Sequence, residues 1–391
     1  LKTSLIIFTA LVSIALADGT WMDTTLVPPS LGFETPVRIY LPEGYDPGGT
    51  IDYPVIYFLH AWMYPSGDPG YNAYSYHTKL ALDSLISSGQ IQPVIVVKPN
   101  GTCDPYMGCL WVNSELYGDY EDYVVYDLVD FIESTFCTIS NPEHRCIAGH
   151  SMGAMGSMRI ALEHTDRYKA VVSHSGFHDY QVFLPLTIPE VLGECSETEP
   201  PYTYDWGNGP YTDLYFVGAG GFSPNLSVPD SVDFLLDENG TIIDSVYALW
   251  ELFNPVSMVK GMSQPIDLDI FFDCGTNDFW AGCYESNCSY SDTLLSLGVD
   301  YEFQSLPGVG HGMNLSRFIE AFLFLDEAMT GISETTELPA GIILEPAFPN
   351  PFTNSTMLSF ELPESGYATL QVFDLSGRLL ETLVDDNLQE G

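Results

Sequence analysis

The sequence predicts an α/β fold with a mostly parallel central sheet, followed by a small antiparallel β-domain. Three observations carry this. Between about residues 35 and 330, short apolar runs alternate with amphipathic segments. The runs are continuously apolar, which suits strands covered on both faces. Past about residue 342 the pattern changes to period two. In chain order, "PVRIYLP" (36–42) reads as an antiparallel edge strand. "PVIYFLH" (54–60), "PVIVVKPNG" (93–101), "HRCIAGHS" (144–151), "YKAVVSHSG" (168–176), "IDLDIFFDCG" (266–275) and "DYEFQSLPG" (300–308) read as buried strands. In "DYEDYVVYDLVDFIESTF", Val124, Leu128, Phe131 and Ile132 share a helix face. Met155, Met158 and Leu162 do so in "MGAMGSMRIALEHTD", where both methionines read as core packing. From 177 to 260 the rhythm breaks into a proline- and aromatic-rich insertion, read as lid-like. A polar linker is expected over 329–341, and "MLSFELPESGYATLQVFDLSGRLLETLV" then alternates as short antiparallel strands.

Residues 1–17 read as a signal peptide: Lys2, an apolar core from Leu5 to Leu16, and Ala15-Leu16-Ala17 as the cleavage site. The apolar run is short for a membrane span, and no second one follows, so a soluble, exported mature chain is expected. The sequence begins with Leu1 rather than Met, as an alternative start or a fragment would. With 53 acidic against 11 basic residues the formal charge is −42, which disfavours nucleic acid and anionic membranes. A saline habitat or the ordinary acidic bias of exported proteins both fit this balance. The eight cysteines suggest disulfides. Spacing favours Cys103–Cys109, Cys137–Cys146 and Cys283–Cys288, leaving Cys195 with Cys274. No C-x-x-C occurs, which argues against zinc.

The chemistry-bearing stretch is "GHSMG" (149–153). Alone it could be a glycine turn that happens to hold a serine. Its setting between a strand and a helix makes it a nucleophile elbow. Gly149 and Gly153 leave room for a sharp turn, and the helix start offers the Met152 N–H to an oxyanion. A serine needs a base, and the base an orienting acid, in the order Ser, acid, His along the chain. Only His311, in "LPGVGHGMN", follows the last strands. Asp278, in the loop of "FFDCGTNDFW", is the expected acid, with Asp273 as the rival inside the strand. The second oxyanion donor is expected at the Trp62 N–H, in the loop after "PVIYFLH". His150 and His174 read as structural.

These residues resemble the α/β-hydrolase esterases related to esterase D. That group includes S-formylglutathione hydrolases, feruloyl and acetyl-xylan esterases of carbohydrate esterase family one, enterochelin esterases and mycobacterial mycolyltransferases. The resemblance spans about residues 30–328 and rests on "SLGFETPVRIYLPEGYD", "PVIYFLHAW", "GHSMG", "CGTND" and "GHG". It implies an α/β-hydrolase sandwich with Ser151 as nucleophile, Asp278 as acid, His311 as base, and Trp62 and Met152 as backbone donors. Ala61 departs from the glycine usual there. The tail "EPAFPNPFTNSTMLSFELPESGYATLQVFDLSGRLLETLV" resembles the C-terminal sorting domain of the type IX secretion system, as in many Bacteroidetes. It implies export by that machinery and removal of the tail. Further strands are expected to follow Gly391 in a complete domain of this kind.

The expectation is a secreted serine esterase acting without metal or cofactor, on acetyl or feruloyl esters of polysaccharides or on other esters. Tyr202, Tyr204, Trp206 and Phe222 are candidates for the substrate pocket, and core packing is the simpler alternative. Two other readings stay open. One is acyl transfer to a sugar or lipid; the other is a non-catalytic surface binding protein on a hydrolase scaffold.

Overall fold

The computed structural model describes residues 18–62, 72, 74–263 and 265–331, and the backbone of strands 343–344, 360–361, 366–373 and 379–388. The expected signal peptide and nearly all of the linker lie outside the described residues. Met329 and Thr330, placed in the linker by the sequence, are instead the end of a helix.

Eight strands form one sheet: β1 (Thr20–Leu26), β2 (Thr35–Leu41), β3 (Val55–Leu59), β4 (Ile95–Pro99), β5 (Arg145–His150), β6 (Ala170–His174), β7 (Asp269–Gly275) and β8 (Glu302–Leu306). Their spatial order is β1-β2-β4-β3-β5-β6-β7-β8. β2 pairs antiparallel with both β1 and β4, and the remaining pairs are parallel. This is the α/β-hydrolase sandwich. Two expectations are corrected. The segment at 36–42 is not the edge, because β1 covers it; β1 is half-exposed and its "TWMDTTL" carries too little apolar signal. The last strand, expected to be buried, is an edge with only partial cover.

Residue parity along the strands assigns the two faces. Ile56, Phe58, Val96, Ala148, Val172 and Phe271 share a core with helices α1 (Ser75–Ser87) and α9 (Leu315–Thr330). Val55, Tyr57, Leu59, Ile147, Val171 and Phe272 face the other way. That second core includes α2 (Leu128–Thr135), α3 (Met152–Glu163) and α8 (Cys283–Leu297). A π-helical stretch, Tyr123–Asp127, precedes α2.

The 177–260 insertion is largely helical: α4 (Tyr180–Glu194), α5 (Pro210–Phe222), α6 (Asp244–Trp250) and α7 (Pro255–Gly261). Pro185 and Pro189 lie inside α4, which is why the sequence read as broken there. Its aromatics pack on one another: Phe222 meets Phe253 at 4.7 Å and Trp250 at 5.4 Å between ring centroids.

Asp18–Ile332 is one compact unit. A separate C-terminal unit pairs Ile343–Leu344 with Phe360–Glu361, and Gly366–Phe373 with Leu379–Leu388, both antiparallel.

None of the four expected disulfides is closed; all eight cysteines are thiols. Cys283 and Cys288 share α8, where residues five apart point about 140° apart. Cys274 has Cys283 as its neighbour, Sγ to Sγ 3.7 Å, in place of Cys195. The Cys137 thiol donates to the Asp46 and Pro47 carbonyls, while Cys146 is buried within β5. Cys103 does lie against Cys109, as the spacing suggested.

Phe318 on α9 packs against Phe58 at 5.5 Å and Phe322 at 6.0 Å. It is fully buried. Phe318→Ala should lower unfolding free energy by about 3–5 kcal/mol, seen as a lower urea midpoint with an unchanged slope.

Candidate active site

β5 ends at His150 and α3 begins at Met152, so Ser151 makes the turn alone, at φ 55° and ψ −114°. Two glycines make this possible. A Cβ on Gly149 would lie 2.1 Å from the Gly153 carbonyl oxygen. A Cβ on Gly153 would lie 2.0 Å from that of Leu59, the last residue of β3. The Ser151 N–H donates to the His174 carbonyl at 2.9 Å, and the Met155 N–H to the Ser151 carbonyl at 3.0 Å. Met152, in the first helical turn, presents an N–H without an intrahelical acceptor.

The structure brings Ser151, His311 and Asp278 together. Ser151 Oγ and His311 Nε2 are 2.8 Å apart. His311 Nδ1 and Asp278 Oδ2 are 2.7 Å apart. With Nδ1 facing a carboxylate, Nδ1 carries the proton and Nε2 is left to accept from the serine. Burial pushes the Asp278 carboxyl up, but hydrogen bonds and charge from His311, with the Trp280 N–H, hold it below its ordinary value. The rival Asp273 lies elsewhere. It binds His174 Nδ1 at 2.9 Å and pairs with the Arg317 guanidinium.

Two side chains, His150 and Arg317, hold the His311 loop from behind. His150 Nε2 donates to the His311 carbonyl at 2.7 Å. Arg317 Nη1 donates to the Gly312 carbonyl at 3.1 Å, and its Nη2 to Ser175 Oγ at 3.0 Å. Burial lowers His150 well below its ordinary value, with His311 and Arg317 adding to this, so it stays neutral. Arg317 carries no sequence motif; only a basic residue in so acidic a chain could have flagged it.

β3 lies beside β5 with Leu59 opposite Gly149, so His60, Ala61 and Trp62 leave the sheet next to the serine turn. His60 Nδ1 donates to the Ala61 carbonyl at 2.7 Å, and its Nε2 accepts the Gly101 N–H at 2.8 Å. Ala61 lies outside the positive-φ region, so no glycine is needed there. Trp62 Nε1 donates to the Tyr106 carbonyl at 3.2 Å.

The four pocket candidates separate. Trp206 lies 6.4 Å from Trp62 and 5.0 Å from Tyr106, ring to ring. Phe222 is buried in the insertion core, where an apolar cavity is lined by Met155, Phe177, Tyr180, Phe222 and Trp250. Tyr204 stacks on Phe234 at 4.6 Å and donates to the Asp237 carbonyl. The Tyr202 N–H donates to the Glu238 carbonyl. Two aromatics that the sequence reading passed over lie beside the base: Phe279, 68% exposed and 5.1 Å from His311, and Trp280 at 6.4 Å. Trp280 also contacts Trp62 at 6.5 Å.

Among the described residues two clusters bring metal-capable donors within 4.8 Å: Cys274/Asp278/Cys283 and Glu121/Glu163/His164. In the second, Arg159 pairs with both glutamates and already occupies carboxylate oxygens that a metal would need.

The Esterase family model matches residues 29–280, ending before His311. An endo-1,4-beta-xylanase/feruloyl esterase of Xylanibacter ruminicola is 28% identical over 193 residues, 47% of this chain and 25% of that protein. An esterase of Mycobacterium tuberculosis is 26% identical over 152 residues, 38% of this chain and 30% of that one. The matches thus span about a quarter to a third of these curated relatives. Among solved structures, a ferulic acid esterase has a TM-score of 0.56 at 20% identity, covering 80% of this chain and 99% of that chain. An S-formylglutathione hydrolase from Agrobacterium tumefaciens has 0.51 at 14% identity, covering 83% and 98%. At such identities these structures speak for the shared fold.

Burial lowers His60 to about 4 and His178 to about 3. In the unfolded chain both take up a proton at about 6.5. The unfolded state therefore holds more protons between those values. The stability from keeping both rings neutral is full above about pH 6.5 and is lost as pH falls toward about 4, at about 1.4 kcal/mol per pH unit per histidine. Urea unfolding at a series of acidic pH values should show this slope, and His60→Gln should make it shallower.

Proposed function

Because the chain belongs to the esterase family, we propose that it is a serine carboxylic ester hydrolase with Ser151 as nucleophile, His311 as general base and Asp278 as orienting acid. The observation that carries this reading is the unbroken pair of contacts, Ser151 Oγ to His311 Nε2 at 2.8 Å and His311 Nδ1 to Asp278 Oδ2 at 2.7 Å. Ser151 attacks the ester carbonyl as His311 takes its proton, and Asp278 stabilises the resulting imidazolium. The tetrahedral oxyanion is received by the Met152 N–H at the α3 N-terminus and the Trp62 N–H. His311 then protonates the leaving alcohol, and water releases the acyl-enzyme by the same route.

The proposed substrates are acetyl or feruloyl esters on polysaccharides. What supports this is similarity to a xylanase/feruloyl esterase and the aromatic side chains around His311. Export is proposed from the signal-like start and the sorting-domain-like tail, with the type IX machinery as partner. No helix among the described residues is long and apolar enough to cross a membrane.

Wild-type protein should hydrolyse short p-nitrophenyl esters and label with a fluorophosphonate probe. Ser151→Ala should abolish labelling and lower kcat by about a million-fold. Asp278→Asn should remain folded and lose about 10⁴ in kcat. An inactive, unlabelled wild type would instead favour a binding protein on a hydrolase scaffold. A panel of acetate, butyrate, octanoate and methyl ferulate should show preference for acetate or ferulate; preference for octanoate would remove the polysaccharide reading.

A further inference from the structure

The loop that carries Asp278 begins and ends at a cysteine. Cys274 is the next-to-last residue of β7, and Cys283 opens α8. Both thiols are fully buried, and their sulfurs touch at 3.7 Å. Cys274 Sγ also lies 3.8 Å from Asp278 Oδ2, the oxygen that binds His311. The Cys283 thiol reaches the Ser175 and Gly176 carbonyls, each at 3.7 Å, and also lies against Cys274 and the Asp278 carboxylate. Two thiols in contact across a short loop, in the core, have the placement from which a disulfide forms.

We infer that Cys274 and Cys283 are joined in the oxidised protein, a buried clip that closes the 274–283 loop around Asp278. The oxidant is a small-molecule disulfide such as oxidised glutathione. One cysteine thiolate attacks it, forming a mixed disulfide and releasing one glutathione thiol. The second cysteine then displaces the other glutathione, also as a thiol. The two cysteines give up two protons and two electrons, and the small disulfide takes them. A divalent metal held by Cys274, Cys283 and Asp278 is the competing use of the same atoms. The geometry favours the disulfide. Asp278 Oδ2 already accepts from His311, and Oδ1 accepts the Trp280 N–H at 3.0 Å. A metal would have to take the carboxylate from both.

The pairing does not depend on the esterase reading; only its effect on Asp278 does. The clip removes the Cys274 S–H beside Oδ2 and ties the acid's loop to the sheet and to α8 at once. For a loop of about ten residues, closure should favour the folded state by about a hundredfold in the folding equilibrium constant.

The test uses the full chain, unfolded with reductant and refolded in a glutathione redox buffer. It is then alkylated in denaturant without reductant and mapped by mass spectrometry. The expected result is a Cys274–Cys283 linked peptide, two hydrogens lighter than the sum of its reduced parts. Alkyl label on both residues, linkage of either to another cysteine, or one bound zinc per chain with both thiols reduced would each overturn the inference. In parallel, reductant should lower the folding equilibrium constant of the wild type about a hundredfold more than that of the Cys274→Ala/Cys283→Ala variant. Equal responses would also overturn it. Both readouts are independent of activity, so an inactive protein would count against the triad and leave the disulfide standing.

Discussion

The site depends on one close approach: Gly153 at the start of α3 against the Leu59 carbonyl at the end of β3. Any larger residue would push α3 away from the sheet, because a Cβ there would sit at 2.0 Å from that oxygen. With the helix drawn in, the chain must turn from strand to helix at a single residue. Ser151 accepts a backbone conformation that costs about 1–3 kcal/mol. Hydrogen bonds to the His174 carbonyl and from Met155 hold it there. The same contact sets the Trp62 loop beside the first turn of α3, the arrangement on which the proposed pair of backbone donors rests.

The base is held by a different kind of interaction. Arg317, Asp273 and His174 form a buried ionic group whose members are at most 2% exposed. Burial alone would push Asp273 up; the neighbouring charges of His174 and Arg317 bring it below its ordinary value instead. Such a group adds little to stability against an apolar replacement, but losing one member leaves an uncompensated charge in the core. What it provides here is position. Arg317 grips the backbone of the His311 loop, and His150 grips the His311 carbonyl. The imidazole ring is thereby aimed from its backbone, leaving both ring nitrogens to Ser151 and Asp278.

Ser151 and Asp278 could be picked out of the sequence because each follows a strongly apolar strand, and His311 because no other histidine comes after the last strands. Asp278 could be set apart from Asp273 because strand-end loops, not strand interiors, reach a site at the C-terminal ends of the strands. β1 was missed because a half-exposed edge strand has no continuous apolar run. The helices of the insertion were hidden by Pro185 and Pro189. Arg317, His60 and Phe279 carry no pattern at all, since what they do depends on partners far away in the chain. Spacing placed Cys103 beside Cys109 but not Cys274 beside Cys283, because it says nothing about where Cβ atoms point and only the placement of β7 against α8 brings those two together.

The charge balance also reaches the site. Among the described residues, Lys98, Arg145, Arg159 and Arg317 are buried, so the surface keeps still fewer of the 11 basic residues in the sequence than its composition indicates. The remaining field repels acidic polymers and falls off over about 8 Å at physiological ionic strength. Beside His311 the groups are different: the exposed Phe279 and the half-buried Trp280 are both uncharged. In the mechanism proposed above, His311 hands its proton to the leaving alcohol, which would place the flanking rings where that alcohol departs. A neutral ring, sugar or aromatic, can lie against such a surface without meeting the acidic field that would turn an anionic one away. On the proposed reading, the chain's charge and the aromatics beside His311 would favour the same substrates, uncharged esters.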